Sequence, residues 1–280
     1  MSEGTGLESF REACPHRFFD VGIAEEHALT FAAGLAANGY KPVTAIYSSF
    51  MQRGYDQIIH DIALQKLPVL MFIDRAGLNA GDGPTHHGVF DVGFLRQVPG
   101  MKILAPVSLA EQQDMLRWAV EECTGPVAVR YPRGSAQLED SNFAFRLEDV
   151  PCLRSGDDVS LISYGSLLKQ VMQAAAELAQ RNIHAQVLQI SSVTDFSVDQ
   201  LLSQLRGKDV FVIEEAAAGS GIKQTVAWEL QKRGYSGKVH GLDLGSDFTP
   251  HGDMEKLYRL AGIDADSIVE KVQEVLCDEE

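Results

Sequence analysis

The sequence predicts an α/β fold made of two three-layer α/β/α domains with mainly parallel sheets. Short apolar runs alternate with longer segments of helical periodicity, which is typical of parallel strands joined by right-handed helical crossovers. The alternation fades over residues 135–157, where the sequence is polar and contains Pro and Gly, and it then resumes. A length of 280 residues also suits two domains. We therefore expect a first domain over residues 1–134, a linker over 135–157 and a second domain over 158–280.

The predicted strands of the first domain are short apolar runs of the type that parallel sheets bury on both faces. They lie around residues 18–21 and within the segments KPVTAIYSSF, PVLMFID, MKILAPV and PVAVRYP. Helical spacing predicts a helix that follows residue 22 and stops at Asn38 and Gly39, and another over YDQIIHDIALQKL. A third helix, over SLAEQQDMLRWAVEEC, is expected to begin with Ser108 as its N-cap and Glu111 completing a capping box.

The second domain repeats the alternation of strands and helices. Its predicted strands are VSLISYG, HAQVLQI, DVFVIEE and KVHGLDL, and its predicted helices are LLKQVMQAAAELAQRN, SVDQLLSQLR and a terminal helix from Asp264. The Gly-rich segment EEAAAGSG lacks the GxGxxG order of a dinucleotide-binding loop, so we interpret it as a connection between a strand and a helix.

The composition restricts the classes of partner. A formal net charge of -15 argues against nucleic acids and anionic membranes, because the field of the protein would repel phosphates. The four cysteines lie far apart without CxxC spacing, which fits a reducing cytosol and supports neither a zinc site nor a disulfide framework. No apolar run reaches transmembrane length. We expect a cytoplasmic protein without nucleic-acid or membrane partners.

Candidate polar groups of the first domain follow the carboxyl ends of its predicted strands, where ligands bind in open parallel sheets. They are Glu25, residues 47–53, residues 75–87 and residues 130–133. Polar residues with purely structural roles would more often scatter over both ends of a sheet. The pattern therefore predicts a ligand site at this edge.

The residue types alone leave the roles open. Glu25 and Glu26 do not share a helix face, so either one is buried and functional or both simply favour the positive N-terminus of the helix. The arginines of IDRAG and RYPRG are either clamps for an anionic ligand or surface ion pairs. In AGDGPTHHGVFD (residues 80–91), His86 and His87 have no third ligand at useful spacing, so no metal site is expected. A structural histidine is the default, and proton transfer is the functional alternative.

Four segments of the first domain carry a resemblance to a known family. They are RFFDVGIAEEHALTFAAGLA, YSSFMQRGYDQIIHD, QKLPVLMFIDRAGLNAGDGPTHHGVFD and VRYPRG. Together they resemble 1-deoxy-D-xylulose-5-phosphate synthases, and VIEE with the later GSG extends the resemblance more thinly over the second domain. Transketolases and the beta subunits of 2-oxoacid dehydrogenases share the fold and the glutamate of IAEEH, but not the string DRAG…DGPTHHG.

The resemblance implies a pyrimidine-binding domain followed by a transketolase C-terminal domain. It also implies a reaction, in which pyruvate is decarboxylated on thiamine diphosphate and the two-carbon unit is added to D-glyceraldehyde 3-phosphate. That product is a precursor of isoprenoids and thiamine. Members of the family are dimers, so the resemblance implies a homodimer.

Carried over residue by residue, the resemblance also implies site residues. Glu25 matches the catalytic glutamate that hydrogen-bonds the aminopyrimidine ring of the cofactor, and His86 and Asp82 match a catalytic pair that handles substrate protons. The residues implied to bind the cofactor with Glu25 are Phe50 and Arg53. The residues implied to hold the phosphate of the aldehyde substrate are Tyr47, Arg75 and Arg133. His87 is implied to have a supporting role at most.

The resemblance further implies that part of the family's length is absent. In the family, an N-terminal domain carries a Gly-Asp-Gly motif and a later Asn that bind the cofactor diphosphate through magnesium. The Gly-Asp-Gly of residues 81–83 has no such Asn in the corresponding window, SLAEQQDMLR, so we predict a turn there and expect the magnesium ligands on the missing domain. The pyrimidine-binding domain is also expected to lack its first strand.

We therefore expect the isolated chain to be inactive and to need the missing N-terminal domain or a subunit that carries it. A natural split enzyme, a truncated fragment and a misplaced start codon all fit the sequence. The alternative functions are a transketolase-like enzyme, a 2-oxoacid dehydrogenase beta-type component and an inactive assembly module.

Overall fold

A computed structural model of the chain describes residues 2–134 and 144–277. The predicted α/β class with mainly parallel sheets is confirmed, because strands of two sheets alternate with helices along the chain. The strands are β1 (Val43–Tyr47), β2 (Leu70–Asp74), β3 (Lys102–Leu104), β4 (Val127–Arg130), β5 (Cys152–Arg154), β6 (Val159–Ser163), β7 (Ala185–Gln189), β8 (Asp209–Ile213) and β9 (Lys238–Leu242). The helices are α1 (Glu8–Ala13), α2 (Glu25–Ala37), α3 (Ser48–Met51), α4 (Tyr55–Gln57), α5 (Asp91–Leu95), α6 (Leu109–Glu121), α7 (Leu168–Gln180), α8 (Val198–Gln204), α9 (Lys223–Lys232), α10 (Met254–Ala261) and α11 (Ala265–Cys277). In the part of the chain that is described, no helix is long and apolar enough to cross a membrane.

The first sheet has the strand order β1-β2-β4-β3, and all of its pairings are parallel. The second sheet has the order β5-β7-β6-β8-β9, in which β5 is the antiparallel member. In the first sheet Tyr47 lies opposite Asp74, and Ile73 lies opposite Arg130. The carboxyl ends of β1, β2 and β4 are therefore adjacent, so the residues that follow these strands meet at one edge.

The interior strand β2 anchors the first domain. Its residues Met71 and Ile73 are fully buried, and Leu29 of α2 lies in the same hydrophobic cluster. Burying an apolar side chain of this size contributes roughly 1.5–3 kcal/mol relative to leaving it exposed. This core holds in place the end of β2 and the start of α2, from which several of the candidate site residues project.

Two of the predicted elements are wrong. Residues 18–21, predicted as a strand, join no ladder among the described residues, although Phe18 has extended backbone angles (φ −111°, ψ 128°). An apolar run becomes a strand only where a neighbouring strand completes its hydrogen bonds. The segment YDQIIHDIALQKL, predicted as one helix, consists of α4 followed by a π-helical turn at Ile58–Ala63. Ile58 and Ile62 of that turn are fully buried, so tertiary packing accompanies the departure from α-helical geometry.

The predicted linker is only partly described. Residues 135–143 lie outside the described residues. Farther along, β5 pairs with β7 at the edge of the second sheet, and the N–H of Gln189 donates to the carbonyl of Pro151 at 2.9 Å. The segment 135–157 therefore contains one strand of the second sheet, and the domain boundaries stay a prediction.

Backbone hydrogen bonds join the two domains at the end of β3. The N–H of Val193 donates to the carbonyl of Ile103 at 2.7 Å, and the N–H of Ala105 donates to that of Ser191 at 3.0 Å. These bonds flank an isolated antiparallel bridge between Leu104 and the loop after β7. That loop therefore acts as a short extra strand on the first sheet, and it fixes one domain against the other.

The start of α6 takes part in the same interface. The N-cap half of the predicted capping box is present, whereas the Glu111 side chain bonds the N–H of Val107, the residue before the N-cap, and a capping box uses the N–H of the N-cap itself. Ser108 Oγ accepts the N–H of Glu111 at 3.2 Å, as expected of an N-cap. The Glu111 carboxylate accepts the N–H of Val107 at 2.9 Å and hydrogen bonds from Ser191 and Gln189, both at 2.7 Å. Burial raises the pKa of Glu111, and these hydrogen bonds oppose the rise. Glu111 therefore stabilises both the helix end and the contact between the domains.

Candidate active site

The eight residues predicted for the site lie together at the carboxyl-end edge of the first sheet, where they form one chain of contacts. They are Glu25, Tyr47, Phe50, Arg53, Arg75, Asp82, His86 and Arg133. The chain begins with a carboxylate at the start of α2, passes through three rings and ends with two guanidinium groups. Their proximity agrees with the sequence analysis, while the role of each residue stays a prediction.

The carboxylate end of this chain is Glu25. It is the first residue of α2 and is buried, whereas Glu26 beside it is exposed. The two carboxylates thus lie in different environments, as the helix geometry predicts. Glu25 Oε2 is 3.3 Å from Arg53 Nη1, and the Arg53 guanidinium lies 5.5 Å from the centre of the Phe50 ring. Arg53 therefore connects the buried carboxylate to the aromatic residues.

The middle of the chain is aromatic. The rings of Tyr47 and Phe50 stack with their centres 5.3 Å apart. The His86 ring meets Phe50 edge-on at 5.1 Å and Tyr47 at 6.5 Å. Different parts of the chain supply these rings, because Tyr47 ends β1, Phe50 belongs to α3 and His86 belongs to the loop after β2. The result is an aromatic surface with an imidazole at its border.

The basic end of the chain is balanced by carboxylates. The Arg75 guanidinium lies 3.6 Å from the centre of the Tyr47 ring, and its Nη1 is 2.6 Å from Asp74 Oδ2. Asp82 Oδ2 lies 3.6 Å from Arg75 Nε and 3.2 Å from Arg133 Nη1. Of the two carboxylates Asp82 is the more exposed. An anionic ligand would therefore bind these arginines by competing with Asp82.

The electrostatic environment of Asp82 favours its ionised form. Partial burial raises its pKa, but the hydrogen bond from Asn79 and the charges of Arg133, His86 and Arg75 outweigh that effect and lower the pKa. Asp82 is thus an acceptor near neutral pH, and its interaction with His86 is electrostatic. The predicted pairing of Asp82 with His86 in proton transfer stays a prediction.

His87 connects the loop to the second domain. It is buried, its Nδ1 accepts the N–H of Asn79 at 2.9 Å, and its Nε2 lies 3.2 Å from the carbonyl oxygen of Pro250. Because Nδ1 accepts, Nε2 carries the proton and donates to that carbonyl. Burial lowers the pKa of His87, which favours this neutral form. These two contacts hold the loop of His87 against the second domain, so we interpret His87 as a positioning residue.

The Gly-Asp-Gly segment forms a turn, as the sequence analysis predicts. The N–H of Gly83 donates to the carbonyl of Asn79 at 3.1 Å, and Gly83 has a φ of 72°, which favours glycine. Within the ranges 2–134 and 144–277, no group of three or more His, Cys, Asp or Glu side chains could hold a metal ion.

Arg130, a candidate anion clamp in the sequence, occupies a different environment from the one expected. It is buried and makes a two-pronged contact with Asp91, with Nε 3.0 Å from Oδ2 and Nη2 3.2 Å from Oδ1. Its guanidinium lies 5.6 Å from the ring of Tyr164 in the second domain. Burial opposes the charged form, but the Asp91 carboxylate outweighs this and raises the pKa of Arg130. Arg130 is neither a ligand clamp nor a surface ion pair, because the second domain covers this strand end.

Glu215 is a site residue that the sequence does not predict, although it lies in the segment VIEE. Glu215 is buried, and its Oε1 accepts the N–H of Leu78 at 2.6 Å, in the loop that carries Asp82 and His86. A Cβ at Gly77 would lie 2.5 Å from the Glu215 carboxyl group, so this loop and the second domain approach closely. The only sequence signal for this role is a pair of carboxylates at the end of a buried strand. Glu215 holds the site loop against the second domain.

The burial of Glu215 makes stability depend on pH. Burial raises its pKa from the ordinary 4.5 to about 7. Between these values the folded protein keeps a proton that the unfolded chain releases, so the stabilisation present below the ordinary pKa is lost as the pH rises through the folded pKa. We expect the free energy of unfolding to fall by on the order of 3 kcal/mol across this window, relative to a Glu215→Gln variant. Urea unfolding of both proteins from about pH 4 to about pH 8 checks this, and parallel pH profiles would contradict it.

A cavity of about 350 Å³ opens beside the site. Glu25, Tyr47 and Phe50 line one part of it, and apolar side chains such as Phe31 and Leu35 line the rest. Its volume lies within the range of cavities that hold small organic ligands. The cavity therefore offers space next to the buried carboxylate and the aromatic surface.

Comparisons with known proteins cover the whole chain. Residues 1–138 match the family described as the transketolase pyrimidine-binding domain, and residues 148–268 match the transketolase C-terminal domain. The chain is 40% identical to a 1-deoxy-D-xylulose-5-phosphate synthase of Gloeobacter violaceus, over 100% of this chain and 44% of the relative. It is 44% identical to a synthase of the same name from Thermomicrobium roseum, over 97% of this chain and 44% of the relative. The chain thus spans less than half the length of these curated relatives.

The fold also matches a solved structure described as a split gene transketolase, inactive beta4 tetramer. The TM-score is 0.87 at 27% sequence identity, and the match covers 99% of this chain and 89% of that one. The two-domain arrangement described above is therefore also found in a second polypeptide of similar length.

Proposed function

Because the chain belongs to the transketolase family, with a pyrimidine-binding domain followed by a C-terminal domain, we propose that it is one half of a 1-deoxy-D-xylulose-5-phosphate synthase. The complete enzyme would use thiamine diphosphate to decarboxylate pyruvate and would transfer the two-carbon unit to D-glyceraldehyde 3-phosphate. The observation that carries the proposal is the contact chain itself, because a buried carboxylate, an aromatic surface and a pair of arginines converge at one edge. Identity of about 40% to named synthases supports it.

The residues present fit the ring end of thiamine diphosphate. Glu25 is a buried acceptor at the wall of an apolar cavity, and Phe50 offers a ring face nearby. When bound, the cofactor supplies the carbanion chemistry that decarboxylates a 2-oxo acid and carries the two-carbon unit. We propose that Glu25 shares a proton with a ring nitrogen of the cofactor, that Arg53 keeps its carboxylate in place, and that Phe50 stacks on the ring.

The same residues suggest how substrates are held. We propose that Arg75 and Arg133 bind the phosphate of the aldehyde, releasing Asp82 from its ion pairs, and that Tyr47 contacts the same group. Such a phosphate would meet guanidinium donors suited to two-pronged binding. We propose that His86, at the border of the aromatic surface, exchanges a proton with the substrate, and that the ionised Asp82 stabilises the charged form of His86.

The diphosphate end of the cofactor needs ligands from elsewhere, since magnesium prefers several oxygen ligands. We propose that a separate domain or subunit supplies them, that the isolated chain is inactive, and that the active assembly is a cytoplasmic homodimer of such units. The similar split gene transketolase, described as an inactive tetramer of one kind of chain, supports the need for a partner.

Reconstitution tests this proposal. The chain is mixed with the part of the Gloeobacter violaceus synthase that it does not match, together with thiamine diphosphate, magnesium and pyruvate. We expect carbon dioxide release that depends on D-glyceraldehyde 3-phosphate, because the two halves then supply both ends of the cofactor site. Release of carbon dioxide is measured with that acceptor, and transfer of a two-carbon unit from a ketose phosphate to ribose 5-phosphate is measured separately.

The controls are each half alone and the mixture without cofactor. A preference for ribose 5-phosphate would favour the transketolase-like alternative. Binding of the two halves without any turnover would favour the assembly-module alternative.

A further inference from the structure

Asn79 lies inside the loop that carries Asp82 and His86, and it is only 2% exposed. Its N–H donates to Nδ1 of His87 at 2.9 Å, and its carbonyl accepts the N–H of Gly83 at 3.1 Å. These two backbone bonds fix Asn79 from both sides. We therefore expect its side chain to keep its position when a ligand binds.

The side chain of Asn79 bonds a carboxylate of the proposed substrate site. Its Nδ2 donates to Asp82 Oδ2 at 2.9 Å. The same oxygen lies 3.2 Å from Arg133 Nη1 and 3.6 Å from Arg75 Nε. One neutral donor and two guanidinium groups therefore share a single carboxylate oxygen. Because the Asp82 side chain is partly exposed and Asn79 is buried, Asn79 is the fixed member of the pair.

Asp82 satisfies the two arginines only in part. Arg75 Nε is buried and has no hydrogen-bond partner among the described residues, because its 3.6 Å separation from Asp82 exceeds hydrogen-bond distance. The Arg133 side chain is half-exposed, and exposed ion pairs are weak. A tetrahedral dianion would offer several oxygens to both guanidinium groups. Such an anion would therefore displace Asp82 from the arginines.

We propose that Asn79 is a positioning residue that retains the Asp82 carboxylate when an anionic ligand takes the two arginines. An amide group is neutral, so the ligand prefers the guanidinium groups and leaves Asn79 to Asp82. Asp82 then keeps one donor and stays ionised near His86 instead of taking up a proton. That the ligand is a phosphate ester rests on the proposed function, whereas the contact between Asn79 and Asp82 is a property of this chain.

The charges of the site explain why a neutral donor matters. Arg75 and Arg133 supply two positive charges. Asp74 pairs with Arg75, and Asp82 lies near both arginines, so these charges are opposed before any ligand binds. A bound dianion adds negative charge, which favours protonation of Asp82. The hydrogen bond from Asn79 opposes that protonation, because it favours the ionised carboxylate.

Three other titratable groups lie around Asp82. Burial raises the pKa of Tyr47, which keeps that hydroxyl neutral. His86 interacts with Asp82 through its charge. His251 of the second domain packs against the loop, since a Cβ at Gly83 would lie 2.8 Å from its ring. Either histidine can also take up a proton when a dianion binds, so the effect of Asn79 is measured as a difference between variants.

Calorimetry with inorganic sulfate, which stays doubly charged, tests the inference on the full chain. Sulfate is titrated at about pH 5 in two buffers of different ionisation enthalpy, which gives the affinity and the number of protons taken up. Asn79→Leu keeps a similar size but removes the donor. We expect this variant to bind sulfate about tenfold more weakly and to take up more protons per sulfate than the unsubstituted chain. Equal proton uptake by both would overturn the proposal, and so would a failure of the unsubstituted chain to bind sulfate.

The same substitution in an Asp82→Asn background separates positioning from a purely structural role. Asp82→Asn removes the carboxylate that would take up the proton. In this background we expect Asn79→Leu to leave proton uptake unchanged and to alter the affinity by less than about twofold. Equal weakening in both backgrounds would show that Asn79 only supports the shape of the loop, and would overturn the proposal.

A measurement on the unsubstituted chain covers the case in which Asn79→Leu does not fold. The carboxyl carbon of Asp82 is titrated by NMR with and without saturating sulfate. We expect the pKa of Asp82 to stay below its ordinary value in both states, and a rise above that value on sulfate binding would overturn the proposal. Turnover of the reconstituted mixture without these effects would contradict only this inference. The expected effects without turnover would contradict only the proposed function.

Discussion

Replacing Glu25 by Gln is expected to lower the turnover of the reconstituted enzyme by about 10²- to 10⁴-fold, the usual contribution of a positioned acid or base. The change keeps the size of the side chain and one acceptor oxygen. It removes the negative charge that faces Arg53 and the proposed capacity to share a proton with the cofactor ring. Glu25 is buried at the wall of the cavity. We therefore expect that a water molecule cannot easily replace its carboxylate in proton transfer.

The neighbouring residue provides a matched control. Glu26 is exposed in the same turn of α2, so Glu26→Gln changes the same charge at the same helix end without reaching the cavity. Turnover and thiamine diphosphate affinity are measured for both variants, with urea unfolding as a check on folding. Equal turnover of the two variants would refute the proposed role of Glu25.

The largest effect on stability is expected from Arg130→Met, which should lower the free energy of unfolding by about 3–5 kcal/mol. The change leaves Asp91 buried and without the two hydrogen bonds that compensate its charge. A buried carboxylate that has lost its partner retains its full desolvation cost. We expect the loss of stability to come mainly from the buried, unpaired charge of Asp91 rather than from the two hydrogen bonds that are removed.

A second substitution separates these two causes. Arg130→Met combined with Asp91→Leu removes both charges, and we expect it to recover most of the lost stability. Arg117→Met is the control, because Arg117 pairs with Asp114 at the surface, with Nη1 3.3 Å from Oδ1, and exposed pairs contribute about 0–1 kcal/mol. Urea unfolding measures all three variants. A double variant less stable than Arg130→Met alone would show that the buried charge is not the cause.

The sequence predicted the elements of the fold that depend on local patterns. The apolar run of β2, the helical spacing of α2 and the N-cap at Ser108 are each encoded within about a dozen neighbouring residues. The proximity of the site residues was also predictable, since strands of a parallel sheet direct their carboxyl ends to one edge. The roles of the individual residues were taken from a resemblance, and they stay predictions.

The failures share one physical cause, which is that a residue's environment depends on distant parts of the chain. Residues 18–21 have a strand-like composition, but no described strand pairs with them. Arg130 is a candidate clamp by sequence because nothing local indicates that Asp91 and the second domain cover it. Glu215 has no local signal because its partner, the N–H of Leu78, lies 137 positions away in the sequence. Tertiary contacts of this kind leave no periodic signal.

The interface between the two domains has a consequence for motion. A hinge needs a boundary that few contacts cross, whereas here the boundary contains the backbone bonds around Leu104, the carboxyl group of Glu111 and the contact of Glu215 with the site loop. Swinging one half away from the other would break all of these contacts at once. We therefore expect the two domains to unfold in a single cooperative transition and to keep a fixed orientation relative to each other. We expect ligand entry to depend on surface loops rather than on opening between the two domains.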